Sequence, residues 1–380
     1  MQVILDMRAG QYINVPNKGY KAFEPTKLQD LQLSLDTDIL TKVGEANRLL
    51  GKLEGVALNV PNIDLFISSY VRKEALMSSQ IEGTQASLID ILDPNIDSNA
   101  NMDTLDVVNY TNALNFAVET MKSYPLCNSL LKRTHAILLS NTRGQEKSPG
   151  EFRRSQNWIG SSGCDLNNAR YVPPTPENMT EAMSDLEKFI NMENEVYDPI
   201  IQAALIHYQF ETIHPFLDGN GRIGRMLIAL YLIEKKILTY PILYISYYLK
   251  KNRIEYYDRM SEVRAKGNYE QWVKFFLDAV IASCKDCLLT IRQISNLKDK
   301  NSKLLGKTSK SLSEVFNYIC KNPIISIQKT AQELKMSFNS VSTAVQRLCA
   351  LNILHENSAN KRNRIFSYSE YLDILKKDTE

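Results

Sequence analysis

Two apolar helical runs in residues 200–234 are forced apart by one break, and that break limits what the chain can fold into more than any other stretch. Ile200 to Ile213 carries Ile201, Leu205 and Tyr208 at helical spacing. The run has to stop at His214, because the residue before a proline is driven out of the right-handed helical region. A helical pattern returns from about Arg222, with Met226, Leu227, Leu230, Tyr231 and Ile233 as its apolar side. Joining them is His214-Pro215-Phe216-Leu217-Asp218-Gly219-Asn220-Gly221-Arg222-Ile223-Gly224-Arg225, which holds a base, a carboxylate, three glycines and two arginines.

Glycines tolerate positive φ and leave backbone N–H groups bare, so a Gly219-Asn220-Gly221 loop that opens a helix aims those donors and the positive end of the helix dipole at one spot. That spot suits an anion. Arg222 and Arg225 are three apart, share a face, and can grip a polyphosphate with forked donors. Asp218 is placed to hold a hard cation such as Mg²⁺ against those phosphates. His214, with an ordinary pKa near 6.5, has a neutral form able to take a proton from an attacking hydroxyl. Assembled, the parts describe transfer from a nucleotide polyphosphate to a hydroxyl group.

Two other readings compete. Gly219 to Gly224 satisfies G-x-G-x-x-G, the dinucleotide-binding turn, but the segment before it carries Gln202, His207, Gln209, Glu211 and Pro215. Such a segment makes a poor buried parallel strand, and no acidic residue stands about twenty positions beyond the last glycine. A tight turn with a capping Asp and two solvated arginines explains any two of these residues, though not all of them together. A Walker A loop is excluded, since its Gly-Lys-Ser/Thr is missing.

His214 to Arg225 resembles the signature of the Fic family, H-P-F-x-[D/E]-G-N-G-R-x-x-R, with every defined position present. The resemblance implies a mainly α fold and, most often, transfer of AMP from ATP to a Ser, Thr or Tyr hydroxyl of a target protein. It makes His214 the base and Asp218 the Mg²⁺ ligand. Asn220 and the amides of the flanking glycines, Gly219 and Gly221, then hold the α-phosphate, Arg222 and Arg225 reach the β- and γ-phosphates, and Gly224 belongs to the same ATP-binding set. Phe216 seats the loop in the core.

A helix expected over Asp64 to Ile81 ends in Ser78-Ser79-Gln80-Ile81-Glu82-Gly83. Ser78 and Glu82 are four apart and face the same way, and Gly83 can take the conformation that ends a helix. Alone this is an ordinary capped helix end. Beside the signature it resembles the family's inhibitory motif, [S/T]-x-x-x-E-[G/N], which implies that Glu82 pairs with Arg225 and turns ATP into an unproductive pose.

The remaining chain divides as follows. Residues 1–103 form an N-terminal region with the inhibitory helix at about 64–83, and 104–295 the Fic core. Residues 296–310, Lys-rich and polar, read as a linker or an exposed helix tail, and 311–380 as a separate module. Within the core, Ser155 to Pro173 reads as a short β-hairpin flap. The family resemblance makes it the edge on which a target protein docks as an added strand. Tyr256 or Tyr257 stands beside the adenine by family position, and core packing explains them equally well.

The module's helices at Leu312–Lys321, Ile327–Leu334 and Ser340–Leu351, followed by Ile353-Leu354 and Ile365-Phe366, resemble a winged helix-turn-helix. If it binds DNA, 338–364 is the interface: Phe338 to Arg347 as recognition helix, Lys361, Arg362 and Arg364 on the wing. Residues 301–380 hold 12 Lys+Arg and 7 Asp+Glu, so the basic excess of a chain with net charge +2 lies there. Protein docking, or a DNA-binding regulator that uses the Fic domain as a nucleotide sensor, stays open, as do another donor and removal of AMP.

Asp6 and Arg8 interrupt any leader-like run and no stretch of about 18 apolar residues occurs, so a cytoplasmic protein with no membrane contact is expected. Of six scattered cysteines only Cys284-Lys285-Asp286-Cys287 has metal-like spacing, and it lacks a second pair. Packing explains it, and structural roles explain His135, His207 and His355. Self-modification and a homodimer are left open.

Overall fold

The computed structural model describes residues 8–59, 63–94, 101–160, 163–193, 196–306, 309–357 and 364–377. Lys361 and Arg362 of the expected wing, and Ser161 and Ser162 of the flap, lie outside them. The fold is mainly α, as expected. A hairpin of β1 (Gly10–Asn14) and β2 (Lys21–Pro25) comes first, paired from Gly10↔Pro25 to Asn14↔Lys21. Sequence reading left this stretch as mixed, turn-rich pieces, because five-residue strands carry too little alternation to stand out.

Helices α1 (Thr37–Asn59), α2 (Ile63–Ile81), the short α3 (Leu88–Leu92), α4 (Met102–Met121) and α5 (Asn128–Leu138) follow. Beyond a long loop come α6 (Pro176–Ile190), α7 (Pro199–Ile213), α8 (Asn220–Glu234), α9 (Ser246–Lys251), α10 (Arg253–Lys266) and α11 (Tyr269–Leu305). Every residue from Ile200 to Ile213 is buried, which makes α7 the axis of the bundle. Some of its polar residues tie it to other elements: Gln209 Nε2 donates to Thr26 O at 3.0 Å, and His207 bridges Gly224 O and the Tyr256 hydroxyl, each at 2.8 Å. Trp272 of α11, wholly buried, donates its indole N–H to Ala204 O at 2.8 Å.

The polar stretch expected as a linker or an exposed helix tail is mostly helix. Residues up to Leu305 continue α11, since nothing in 296–305 breaks a helix, and Gly306 at φ 63° ends it. Leu297 and Asn301 are buried, and Asn301 Nδ2 donates to the Tyr368 hydroxyl at 2.6 Å. Beyond it lie α12 (Lys310–Lys321), β3 (Ile324–Ser326), α13 (Ile327–Glu333), α14 (Phe338–Ala350), β4 (His355–Glu356), β5 (Ile365–Ser367) and α15 (Ser369–Lys376). The three strands form one antiparallel sheet in the order β3-β5-β4. β3 and α15 were not foreseen. α12 packs on α2, and Lys73 Nζ of α2 donates to Lys377 O at 2.9 Å, so this module leans directly on α2.

The flap is slighter than a full hairpin. Ile159 and Tyr171 form one antiparallel bridge, with N–H···O distances of 2.8 and 3.0 Å. On its far side Val172 O accepts from Phe23 N at 3.0 Å, so β2 extends the flap. Among the described residues no helix is long and apolar enough to cross a membrane.

Candidate active site

The break between α7 and α8 is built by hydrogen bonds that the sequence only hints at. His214 caps α7 at φ 50°, ψ 61°, left-handed rather than the extended backbone expected before a proline. Asn220 closes the loop: Oδ1 accepts from Phe216 N and Nδ2 donates to Phe216 O, both at 2.8 Å. Its side chain is thereby committed to the loop, which leaves only its backbone N–H for an anion. Phe216, fully buried, stacks on the His135 ring at 3.8 Å with 6° between planes.

His135 fastens the same loop. Its Nδ1 accepts from Gly150 N at 2.9 Å, so the proton sits on Nε2, which donates to Asp218 O at 2.9 Å. Burial pushes its pKa down to about 4, keeping the ring neutral. The structural role expected for it is therefore a precise one, invisible in sequence because its partners lie on other elements.

His214 Nδ1 stands 3.3 Å from Glu211 O. A carbonyl only accepts, so Nδ1 carries the proton and Nε2 is left with a free lone pair. Burial lowers its pKa to about 4, so the ring is an unprotonated acceptor throughout the neutral range. Arg153, 2% exposed, holds the backbone here: Nε donates to His214 O at 3.0 Å, and its own N–H to Pro215 O at 2.9 Å. Nη2 reaches Pro174 O across the flap. Sequence reading missed Arg153, because its partners are all backbone carbonyls and no side-chain pattern marks them.

Opposite His214 lies the amino end of α8. N–H groups of the first helical turn lack acceptors within the helix, and Gly219 at φ 74° opens that turn. A β-carbon on Gly221 would strike Glu82 Oε1 and press on Arg225 Nη1 at 2.9 Å. The Glu82 carboxylate therefore occupies the space over the glycine loop. Arg225, 1% exposed, donates from Nη2 to Glu82 Oε1 at 2.7 Å and to Ser78 O at 2.8 Å, and from Nε to Ser78 Oγ at 2.9 Å. Burial works against both charges and the pairing outweighs it, raising the pKa of Arg225 and lowering that of Glu82. Gly83, at φ 101°, turns the chain away just beyond.

Arg222 is buried too. Its Nη1 lies 3.3 Å from Asp106 Oδ1 and its Nη2 3.7 Å from Asp218 Oδ1, while its Nε has no partner among the described residues. Burial, more than the neighbouring guanidinium can offset, raises the pKa of Asp106. Asp218 keeps 43% of its side chain exposed and accepts from Gly219 N at 2.6 Å. Among the described residues no group of three or more His, Cys, Asp or Glu is arranged for a metal, so Asp218 would meet an ion without a protein cage. That suits an ion whose other ligands come from phosphates and water. Cys284 and Cys287, both buried, pack inside α11 with free thiols.

The two tyrosines part company. Tyr256 is buried, its hydroxyl bonded to His207, which in turn holds Gly224 O; it is core. Tyr257 is only partly buried, and like Tyr256 it lies within range of the Glu82 and Arg225 charges. Glu211, given no role from sequence, lies beneath: a β-carbon on Gly224 would strike its Oε1, which has no hydrogen-bond partner among the described residues. Burial pushes its pKa up to about 7.

This geometry can be set beside known proteins. Residues 125–232 match the model of the Fic/DOC family and residues 40–119 that of the Fic/DOC family N-terminal region. The chain is 35% identical over 130 residues to the protein adenylyltransferase Fic of Aedes aegypti and of Culex quinquefasciatus, 34% of this chain and 23% of each of those proteins. It thus spans less than a quarter of the length of these curated relatives. A Fic family protein from Desulfovibrio desulfuricans shares the fold, with a TM-score of 0.58 at 18% identity over 88% of this chain and 97% of that one. With an intact signature seated where α7 meets α8, and both family models matched in order, the chain belongs to the Fic/DOC family.

Proposed function

We propose that the protein is an autoinhibited protein adenylyltransferase, which moves AMP from ATP to a Ser, Thr or Tyr hydroxyl of a target protein. The observation that carries this is Arg225, buried and gripped by Glu82 and Ser78 directly over the glycine loop. A polyphosphate seated on the amino end of α8 would need that guanidinium and that space, and Glu82 holds both. The adenylyltransferase names of the matched relatives support the choice of AMP.

In the reaction, the amides opening α8 hold the α-phosphate, Arg222 and Arg225 the outer phosphates, and Tyr257 flanks the adenine. His214 Nε2 takes the proton of the target hydroxyl as its oxygen bonds to the α-phosphorus. The bond to the β-phosphate oxygen breaks, and diphosphate leaves. Asp218 would hold Mg²⁺, which when bound neutralises phosphate charge. The target chain docks on the flap at Ser155 to Pro173, along the edge carried by Trp158 and Gly160, since Ile159 spends both main-chain groups on Tyr171 and β2 takes Val172.

The test is label transfer to protein from ATP carrying ³²P at the α or the γ position, in wild type, Glu82→Gly, and Glu82→Gly with His214→Ala. Strong labelling from the α position alone, in the single variant alone, is the expected result. Labelling from the γ position would make it a kinase-like transfer. Silence in all three with ATP bound would favour a nucleotide sensor.

A second reading concerns residues 311–380, which we take as a winged helix-turn-helix that docks DNA. Asn339, Thr343, Gln346 and Arg347 of α14 are all exposed to solvent. Salt-dependent binding of duplex DNA that weakens in Arg347→Ala tests it.

A further inference from the structure

The seam between α2 and the C-terminal module holds a cavity of about 440 Å³, within the size range of small-molecule sites. Three cations reach it from three elements: Arg72 of α2, Lys321 of α12 and Lys329 of α13. Asp93 and Glu333 also line it, so positive charge is in excess by one. Lys329 Nζ donates to Pro94 O at 2.9 Å, and Glu333 accepts the Tyr318 hydroxyl at 3.0 Å. Arg72 is different. It is largely out of water and has neither a hydrogen bond nor an ion pair among the described residues, with Tyr318 and Glu333 acting on it only from longer range. A desolvated guanidinium without a partner is costly, and natural folds tolerate one where something else supplies the anion. Leu92, Ile324 and Leu334 give the same cavity an apolar wall.

We propose that this seam is a second ligand site, for a small phosphorylated molecule whose phosphate is held by Arg72 and Lys321 and whose body rests on the apolar wall. Cations converging from separate elements suit a tetrahedral oxyanion better than a flat carboxylate, which one arginine fork satisfies. The site is separate from the catalytic loop, yet Arg72 stands on the helix that leads to Glu82. A ligand there ties α2 to the module and so holds the inhibitory end in place. That consequence rests on the reading of Glu82 above; the binding itself does not.

The experiment is ³¹P NMR of inorganic phosphate titrated with the full-length protein, at constant ionic strength. Excess line width is compared among wild type, Arg72→Gln, Lys321→Gln and Arg222→Gln. Lys321 is exposed and its variant keeps the fold even if loss of Arg72 disturbs it. Affinity falling about tenfold in Arg72→Gln and Lys321→Gln, the size of one lost charge-assisted contact, with Arg222→Gln like wild type, is the expected result. Broadening lost only in Arg222→Gln would place the phosphate on the catalytic loop and overturn the proposal. So would no broadening in wild type.

Discussion

Replacing Glu82 by glycine removes one side chain and should release the enzyme by an amount the structure sets. Glu82 gives Arg225 a single charge-assisted hydrogen bond of 2.7 Å, with 38% of its own side chain exposed and the arginine 1% exposed. A fully exposed pair is worth about 0–1 kcal/mol and breaking a fully buried one costs about 3–5 kcal/mol. This half-buried pair falls between, at about 1.5–3 kcal/mol, the range of hydrogen bonds to charged groups. Converted at about 1.4 kcal/mol per factor of ten, that is a rise of roughly 10- to 150-fold in the population able to seat ATP productively. Arg225 itself should stay in place in the variant, because Ser78 still holds it through two hydrogen bonds. Glu82→Gln, which keeps the shape and loses the charge, should give roughly half the free-energy effect. The assay is the initial rate of label incorporation from α-³²P-ATP at saturating nucleotide. A Glu82→Gly rate within twofold of wild type, with ATP bound equally by both, would refute the reasoning.

Other outcomes follow from the same geometry. His214→Ala in the Glu82→Gly background should lose roughly 10²- to 10⁴-fold in rate, the usual worth of a general base. Because burial holds the His214 pKa near about 4 rather than 6.5, the rate of the Glu82→Gly enzyme should stay flat as pH falls from 8 to 5.5 and halve near pH 4; a midpoint near 6.5 would contradict the geometry. Glu211, raised from 4.5 to about 7, stabilises the fold most below pH 4.5 and loses that contribution as pH rises through 7. Glu211→Gln should therefore gain on wild type between pH 5 and pH 8 by on the order of 3 kcal/mol, read from denaturant unfolding at each pH. Arg153→Ala strands the carbonyls of His214 and Pro174 and should cost about 2–4 kcal/mol of stability while loosening the flap, visible as faster amide exchange at Ile159 and Tyr171.

Much of the site was legible because it is contiguous. His214, Asp218, Gly219, Asn220, Gly221, Arg222, Gly224 and Arg225 fall within one turn and one helix start, where local geometry alone brings them together. Asn220 shows the limit even there: its residue type was read as a phosphate ligand, and its side chain is spent on closing the loop around Phe216. The helices were legible from their period, whereas the β1-β2 hairpin, β3 and α15 were not. Short elements owe their form to neighbours distant in sequence, as when Phe23 pairs with Val172.

By itself, then, the sequence determined the helical class, the break at His214-Pro215, the anion-seeking turn and the presence of a carboxylate at a helix end near residue 82. These are decided by bonds and sterics within a few residues. Only tertiary structure decided that Glu82 lies over Gly221 rather than in solvent, and that Arg153 and His135 hold the loop from outside. It also decided that Tyr256 is core, bonded to His207, while Tyr257 is only partly buried. Each of those outcomes depends on how helices far apart in the chain cross, and close packing allows one answer where local preference allows several.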